Sequence, residues 1–466
     1  MLAGSRTLQR PPLWSIPVSD RPYSSLWLTL PLSIAFVTVF DVGLLATFFL
    51  LVLLYPLSFS AATRRRYRHL GKAAFGRLLV VIVEWFSPTD LVLTAGQGID
   101  AERWIERDGE GHVQALRLPD KALWISNHTT LTDWIYLWNV AYLSRGHSAS
   151  LYISLKSSLR KVPLIGWAAS EFGFVYLARK WATDKEPFAR QLHAIAKENA
   201  REGQKMAVLL FPEGTIVTDN TRQGSANLHR GCSSCHGRLT WILTVADLKH
   251  LLLPRSTGLF FALRQFARTT PSLELVDFTV GYPLPRQAPS RQTTPLYASD
   301  FYTLPSILLS HVPPPELHVH VRSFKLDAIP LGELKPAANG EGVDEGKPEE
   351  KEAFERWLSE RWLEKDGLME RFRTEGTFVA PDSVNGSSAR ADDSSDDGED
   401  ERRGEYRWPV RLRQPRWELP AAFQFGWPII VAALIWYQRH ILINSLYVVF
   451  GLGHGHRIAQ LDKIEL

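Results

Sequence analysis

A chain of 466 residues with a formal charge of +4 is close to neutral, and it has no Lys/Arg-dense stripe with interleaved aromatics, so nucleic acid is not an expected partner. Two cysteines cannot build a disulfide framework, which makes a reducing, cytosol-facing compartment the expectation. Hydrophobic residues make up 45%, an ordinary share, but they fall in blocks: 26–57 is nearly all apolar, 421–453 largely so, and 382–407 almost wholly polar.

The first block lies in a membrane segment expected over 22–60 and reads LWLTLPLSIAFVTVFDVGLLATFFLLVLLYPL. It starts too late and runs too long for a cleavable signal, and no clear small-residue cleavage site follows. A single span needs only about 20 apolar residues, and Asp41 stands near the middle of this one, beside Gly43. Either one tilted helix carries an awkward carboxylate, or two short helices turn at Asp41-Val42-Gly43. A charge is costly in hydrocarbon, so the hairpin or re-entrant form is expected. Arg64, Arg65, Arg66, Arg68 and Lys72 follow directly, and the positive-inside rule places that flank and the next domain in the cytosol. Trp14, Trp27, Trp417, Trp427 and Trp436 sit beside the apolar ends, where indoles serve either as interfacial anchors or as core.

Residues 61–335 read as one α/β domain. Short β-rich runs (LWIS at 123–126, LYISL at 151–155, FGFVYL at 172–177, AVLLF at 207–211, LVDFTVGY at 275–282, ELHVHVRSF at 316–324) alternate with helix-like stretches such as Ala182–Arg201. That alternation predicts a mainly parallel sheet with flanking helices. A solvated linker is expected at 336–352. An amphipathic helix follows at 353–378, its Phe354, Trp357, Leu358, Trp362, Leu363, Leu368 and Phe372 set to pack on the domain rather than on a bilayer. Residues 379–408 form an acidic segment expected to be disordered. The last apolar stretch, 420–453, is interrupted by Gln438-Arg439-His440. That favours two short embedded helices or a surface-bound one, giving membrane-embedded helices at both ends.

Two strand exits carry residues with chemistry. After LWIS comes Asn127-His128-Thr129-Thr130-Leu131-Thr132-Asp133. With His128 just before a helix and Asp133 in its early turns, the carboxylate holds the imidazole in one tautomer, and the imidazole can take a proton from an alcohol. The plain alternative is that Asn127 caps a helix and His128 is incidental. Asn127-His128-Thr129 is also a glycosylation acceptor sequence, unused on the cytosolic side. After AVLLF comes Phe211-Pro212-Glu213-Gly214-Thr215, a tight turn whose amides and Thr215 hydroxyl suit a phosphate. Cys232-Ser-Ser-Cys235-His236, with His229 nearby, matches a haem-attachment pattern. The compartment argues against haem, and four ligands so close together would strain a metal site. A loop with two free thiols is the expected outcome.

An Asn-His-x4-Asp block followed at this distance by Phe-Pro-Glu-Gly-Thr resembles the glycerolipid (PlsC-type) acyltransferase superfamily. Further blocks agree in order: Lys156 to Trp167, Gly173 to Arg179, and Leu253-Pro254-Arg255-Ser-Thr-Gly258. The flavour is that of the branch with lysocardiolipin and lysophosphatidylinositol acyltransferases, as is the His318, His320, Arg322 strand. The resemblance implies a PlsC-type acyltransferase domain with His128 as general base and Asp133 as its orienter. It places Arg179 on the acceptor phosphate, and Asn127, Lys156, Glu213, Gly214, Thr215 and Pro254 around the substrate. It also implies acyl-CoA as co-substrate, a lysophospholipid acceptor, no metal and no other cofactor. The bilayer would be that of the endoplasmic reticulum, with the catalytic domain facing the cytosol. A glycerol-3-phosphate acyltransferase or a CoA-independent transacylase would share the same pair. A non-catalytic lipid-binding scaffold is the reading from another class. The chain departs from the family at Ile216, where Arg or Asn is usual, at Ala178, where Asp is usual, and at HRGCSSCHGRLTWILTV (229–245), which reads either as a lineage-specific insertion or as a retained intron.

Overall fold

A computed structural model describes residues 11–22, 26–54, 60–101, 103–107, 109, 113–162, 165–178, 180–201, 203–223, 248–285, 296–334, 344–380 and 404–423. The expected C-terminal membrane segment, the insertion with its cysteines, and Arg179 lie outside them.

Helix α1 (Leu26–Leu54) leads into α2 (Ala61–Phe86), whose first turn is capped by the Ser60 hydroxyl accepting the Thr63 amide. Strand β1 (Asp90–Ala95) follows, then the small hairpin β2 (Ile105–Arg107) and β3 (Val113–Leu116). The centre of the domain is β4 (Lys121–Ser126), α3 (Asp133–Leu143), β5 (Leu151–Lys156), α4 (Ile165–Glu171), β6 (Val175–Leu177), α5 (Trp181–Glu198) and β7 (Met206–Leu210). Then come α6 (Ser256–Thr269), β8 (Glu274–Gly281), two short helices α7 (Ala298–Phe301) and α8 (Leu304–Leu308), and β9 (Glu316–Lys325). The long helix α9 (Pro348–Glu375), β10 (Glu405–Pro409) and α10 (Pro415–Phe423) complete the described chain.

The strands form one eight-stranded sheet in the order β10-β1-β9-β8-β4-β7-β5-β6. Five of the seven neighbouring pairs are parallel; β8/β9 and β1/β10 are antiparallel. The mainly parallel α/β sheet expected from the alternating pattern is therefore present. Because side chains alternate across a strand, β4 sends Ala122 and Trp124 into a core shared with α2 and α3, and Leu123 and Ile125 into one shared with α5, α6 and α9. Helices thus cover both faces, which a buried parallel sheet requires.

Three expectations meet a different structure. Helix α1 runs unbroken through Asp41 and Gly43, with no turn between them. A Cβ on Gly43 would meet the Leu78 side chain of α2 at 2.5 Å, so the glycine serves close helix packing, and Asp41 lies on the exposed side. The segment read as a solvated linker is anchored where it is described: buried Asp344 pairs with the buried Arg264 guanidinium of α6 at 2.8 Å, and Glu350 adds a second contact at 3.0 Å. Residues 405–408, read as part of a disordered stretch, form β10 against β1. Helix α9 packs on the domain as expected, burying Phe354, Leu358, Trp362 and Phe372.

Candidate active site

Strand β4 ends at Ser126, and the chain turns once before α3 begins at Asp133. Asn127 fixes the start of that turn. Its side-chain amide donates to the Val280 carbonyl at 2.9 Å and accepts the Val280 amide at 2.8 Å, extending the β4–β8 pairing past its last residue. The resemblance places Asn127 around the substrate; here it is fully buried, absent from the cavity lining, and bonded to the scaffold.

The turn brings His128 Nδ1 to 2.9 Å from Asp133 Oδ2. The carboxylate is fully buried and also accepts the Thr129 amide at 2.7 Å, the Thr130 amide at 3.1 Å, the Thr130 hydroxyl at 2.8 Å and the Tyr282 hydroxyl at 2.8 Å. With Nδ1–H directed at Asp133, the basic lone pair is left on Nε2. The ring stacks on Phe211 at 4.3 Å between centroids, and the His128 carbonyl accepts the Val217 amide at 3.1 Å. Burial, and then the Asp133 charge, push the Tyr282 phenol well above its usual value, so it is a donor here. Tyr282 ends the sequence run LVDFTVGY; its place at a strand exit beside β4 was the one signal that could have drawn attention to it.

The Phe211–Thr215 turn lies beside the histidine. Gly214 has φ +72, and its amide donates to the Phe211 carbonyl at 2.9 Å. A side chain there would be strained by the backbone and would press on the Arg255 guanidinium at 3.2 Å. Glu213 points inward: it is buried, and neither oxygen makes a hydrogen bond of good geometry with a described residue. Burial pushes its carboxyl well above the usual range, against the pull of Lys365 and the nearby His128 and Leu252 amides. Lys365, from α9, is itself fully buried; it bonds Asp277 and donates to the Phe278 carbonyl at 2.7 Å. Burial alone would raise the Asp277 carboxyl, but Lys365 and Arg322 together hold it below the ordinary carboxylate range. The Arg322 guanidinium donates to Asp277 at 2.6 Å and to Glu364 at 2.8 Å.

His128 opens into a cavity of about 490 Å³. Its apolar lining is Leu155, Leu177, Trp181, Phe188, Leu210 and Phe211, and its polar lining includes Lys156, Asp184, Arg255, Ser256 and Glu355. Of the residues expected around a substrate, Lys156, Gly214 and Pro254 share this cavity with His128; Glu213 and Thr215 are not in its lining. Asp184 caps α5 by accepting the Ala178 and Lys180 amides at 2.8 and 3.0 Å, and Glu355 accepts the Ser256 hydroxyl at 3.0 Å. Lys156 and Arg255, by contrast, make no ion pair with a described residue. Trp181, Asp184 and Glu355 were not foreseen, since only the fold carries α5 and α9 to this opening; Arg255 was passed over although it follows Pro254 in the same block.

An imidazole aimed by a buried carboxylate at a partly apolar cavity defines a base-assisted group-transfer site. The acyltransferase family profile matches residues 110–282, the stretch that holds the histidine turn, the Phe211–Thr215 turn and Tyr282. An uncharacterised acyltransferase of Schizosaccharomyces pombe is 31% identical over 316 residues, covering 68% of this chain and 77% of that protein. The 2-acyl-1-lysophosphatidylinositol acyltransferase of Saccharomyces cerevisiae is 31% identical over 301 residues, 58% of this chain and 66% of its own. Lysocardiolipin acyltransferase 1 of Gallus gallus is 28% identical over 254 residues, 54% of each chain. The chain belongs to the glycerolipid (PlsC-type) acyltransferase superfamily and is an acyltransferase.

Proposed function

We propose that the protein transfers a fatty acyl group from acyl-CoA to the free hydroxyl of a lysophospholipid, in phospholipid synthesis or remodelling. The observation that carries this reading is the His128–Asp133 pair at a cavity whose lining combines apolar side chains with Lys156 and Arg255, neither in an ion pair with a described residue. An acyl chain suits the first and a phosphate the second. Arg179 is assigned to the acceptor phosphate on the family resemblance alone.

In the reaction, His128 Nε2 takes the proton of the acceptor hydroxyl as its oxygen attacks the thioester carbonyl. The tetrahedral intermediate collapses, the C–S bond breaks, and the departing thiolate takes the proton back from the imidazolium to leave as CoA thiol. Asp133 stabilises the imidazolium throughout. No acyl-enzyme and no metal is called for. Helix α1 supports a membrane setting: the stretch Thr29–Thr47 has a mean hydropathy of 1.9 and is only 22% buried. The bilayer we assign is the endoplasmic reticulum, with the domain on its cytosolic side, consistent with the basic flank at Arg64–Arg68.

The test is transfer of labelled oleoyl-CoA to a panel of lysophospholipids and glycerol 3-phosphate, comparing membranes containing the protein with membranes containing His128→Ala. Product with one or two lysophospholipids that vanishes in the variant is the expected result and names the acceptor. Indistinguishable membranes at equal protein would remove the proposal, and product from glycerol 3-phosphate alone would replace it.

A further inference from the structure

A second cavity of about 140 Å³, sharing no lining residue with the first, adjoins the turn at Thr129. It is far larger than the ~15 Å³ that one water needs. Thr129 and Tyr282 form one wall, and both bond Asp133 on their other side. The opposite wall comes from Lys249 and His250 and from α9, through Met369 and Arg373. Among the described residues, no carboxylate lines it.

The basic wall is held in place. Asp366 of α9 accepts the backbone amides of Lys249 at 2.8 Å, His250 at 2.8 Å and Leu251 at 3.1 Å. One turn further on, Glu370 accepts from His250 Nε2 at 2.6 Å and from Lys249 Nζ at 3.4 Å. Arg373 continues the same helix face, since residues three and four apart lie above one another. Glu370 thus carries one negative charge between two histidine and lysine groups, while the half-buried Arg373 has no hydrogen bond or ion pair with a described residue. Glu370 is also the acid nearest Arg373, so one carboxylate is shared among Lys249, His250 and a guanidinium partly withdrawn from water, an excess of positive charge that an anion would complete.

We propose that this cavity is an anion site for a phosphate group, gripped by Arg373 and Lys249 and adjoining Thr129 and Tyr282, whose hydroxyl protons are donated to Asp133. The phosphate belongs either to an acceptor headgroup or to free phosphate; the chemistry is shared, and occupancy by either is coupled to the His128–Asp133 pair through the common wall. Only the headgroup source rests on the function proposed above.

Two measurements on the full-length protein in detergent separate these outcomes. First, inorganic phosphate is titrated against the thermal midpoint, with chloride at equal ionic strength as control; this requires no acyl transfer. The midpoint rises in the wild type and not in Arg373→Gln, while Arg373→Lys keeps part of the rise. Second, the ratio of KM for monolysocardiolipin, with its second phosphate, to KM for lysophosphatidate is compared between the wild type and Arg373→Gln. A ratio at least fivefold higher in the variant assigns the site to a headgroup phosphate. An unchanged ratio with a phosphate-sensitive midpoint assigns it to free phosphate. The proposal is overturned if phosphate shifts the midpoint equally with and without Arg373, or if neither the midpoint nor the ratio responds.

Discussion

His128 and Asp133 lie five residues apart, close enough for one turn and the first residue of a helix to bring them together. Asp133 offers two oxygens to five donors besides the imidazole, so its replacement by asparagine puts an amide N–H where acceptors are needed. The Asp133→Asn protein is expected to fold, turn the imidazole to the wrong tautomer and lose kcat by roughly 10²–10⁴-fold with little change in KM. An initial-rate series over acceptor concentration checks this; an equal fall carried by KM would place Asp133 in binding instead.

Glu213 bears on stability rather than on proton transfer alone. Its folded-state carboxyl lies well above the unfolded value because burial disfavours the charge. Between those two values the folded chain binds the extra proton, so this group's contribution to stability falls as pH rises from about 4.3 upward. Glu213→Gln removes that slope. Melting curves from pH 5 to 8 should therefore be flatter for the variant, with a higher midpoint than the wild type at the alkaline end; parallel curves would show that Glu213 is compensated in a way the geometry does not reveal.

At the level of elements, α9 carries the feature with the largest energetic consequence. Lys365 is fully buried against Asp277, and removing one partner of a buried pair typically costs about 3–5 kcal/mol. Lys365→Met leaves Asp277 with Arg322 alone, and denaturant unfolding should show a loss of that order. Little of this was legible in the sequence. The six strands foreseen from β-rich runs exist: β4, β7 and β8 are buried nearly throughout, while β9 alternates apolar residues with His318, His320 and Arg322. β1 and β10 were missed, since LVLTA and EYRWP are short and their partner strands are far off in the chain. The catalytic pair was legible because it is local. Tyr282, Lys365 and Asp366 were not, because each reaches the site across the sheet or from a helix more than two hundred residues away, and a lone tyrosine or a charged helical residue carries no spacing signal. Asn127 was misread for a related reason: beside His128 it passes for a site residue, yet its partner is Val280.

For the whole molecule, the continuous α1 decides how the chain meets a bilayer. A helix of 29 residues is about 43 Å long, more than the roughly 30 Å of hydrocarbon, and part of its length is committed to α2. Trp27, Leu30, Ile34, Val37 and Leu45 remain exposed. Deleting residues 1–59 should shift the protein from the carbonate-resistant pellet towards the soluble fraction. If it stays in the pellet until residues 424–466 are also removed, the second apolar stretch holds it independently.

The pair of hydrogen bonds between Asn127 and the Val280 backbone has a consequence for any copy of the chain delivered to a glycosylating compartment. Asn127-His128-Thr129 is an acceptor sequence for N-linked sugar. The atom that would carry the sugar is the same Nδ2 that donates to Val280, in a fully buried position. A nascent chain threaded with this turn into a glycosylating lumen would acquire an oligosaccharide that β4 and β8 cannot enclose. Orientation errors would be rejected by the catalytic domain itself, and a version forced to the lumenal side by an added leader should be glycosylated and inactive, with Thr129→Ala restoring the fold but not the sugar.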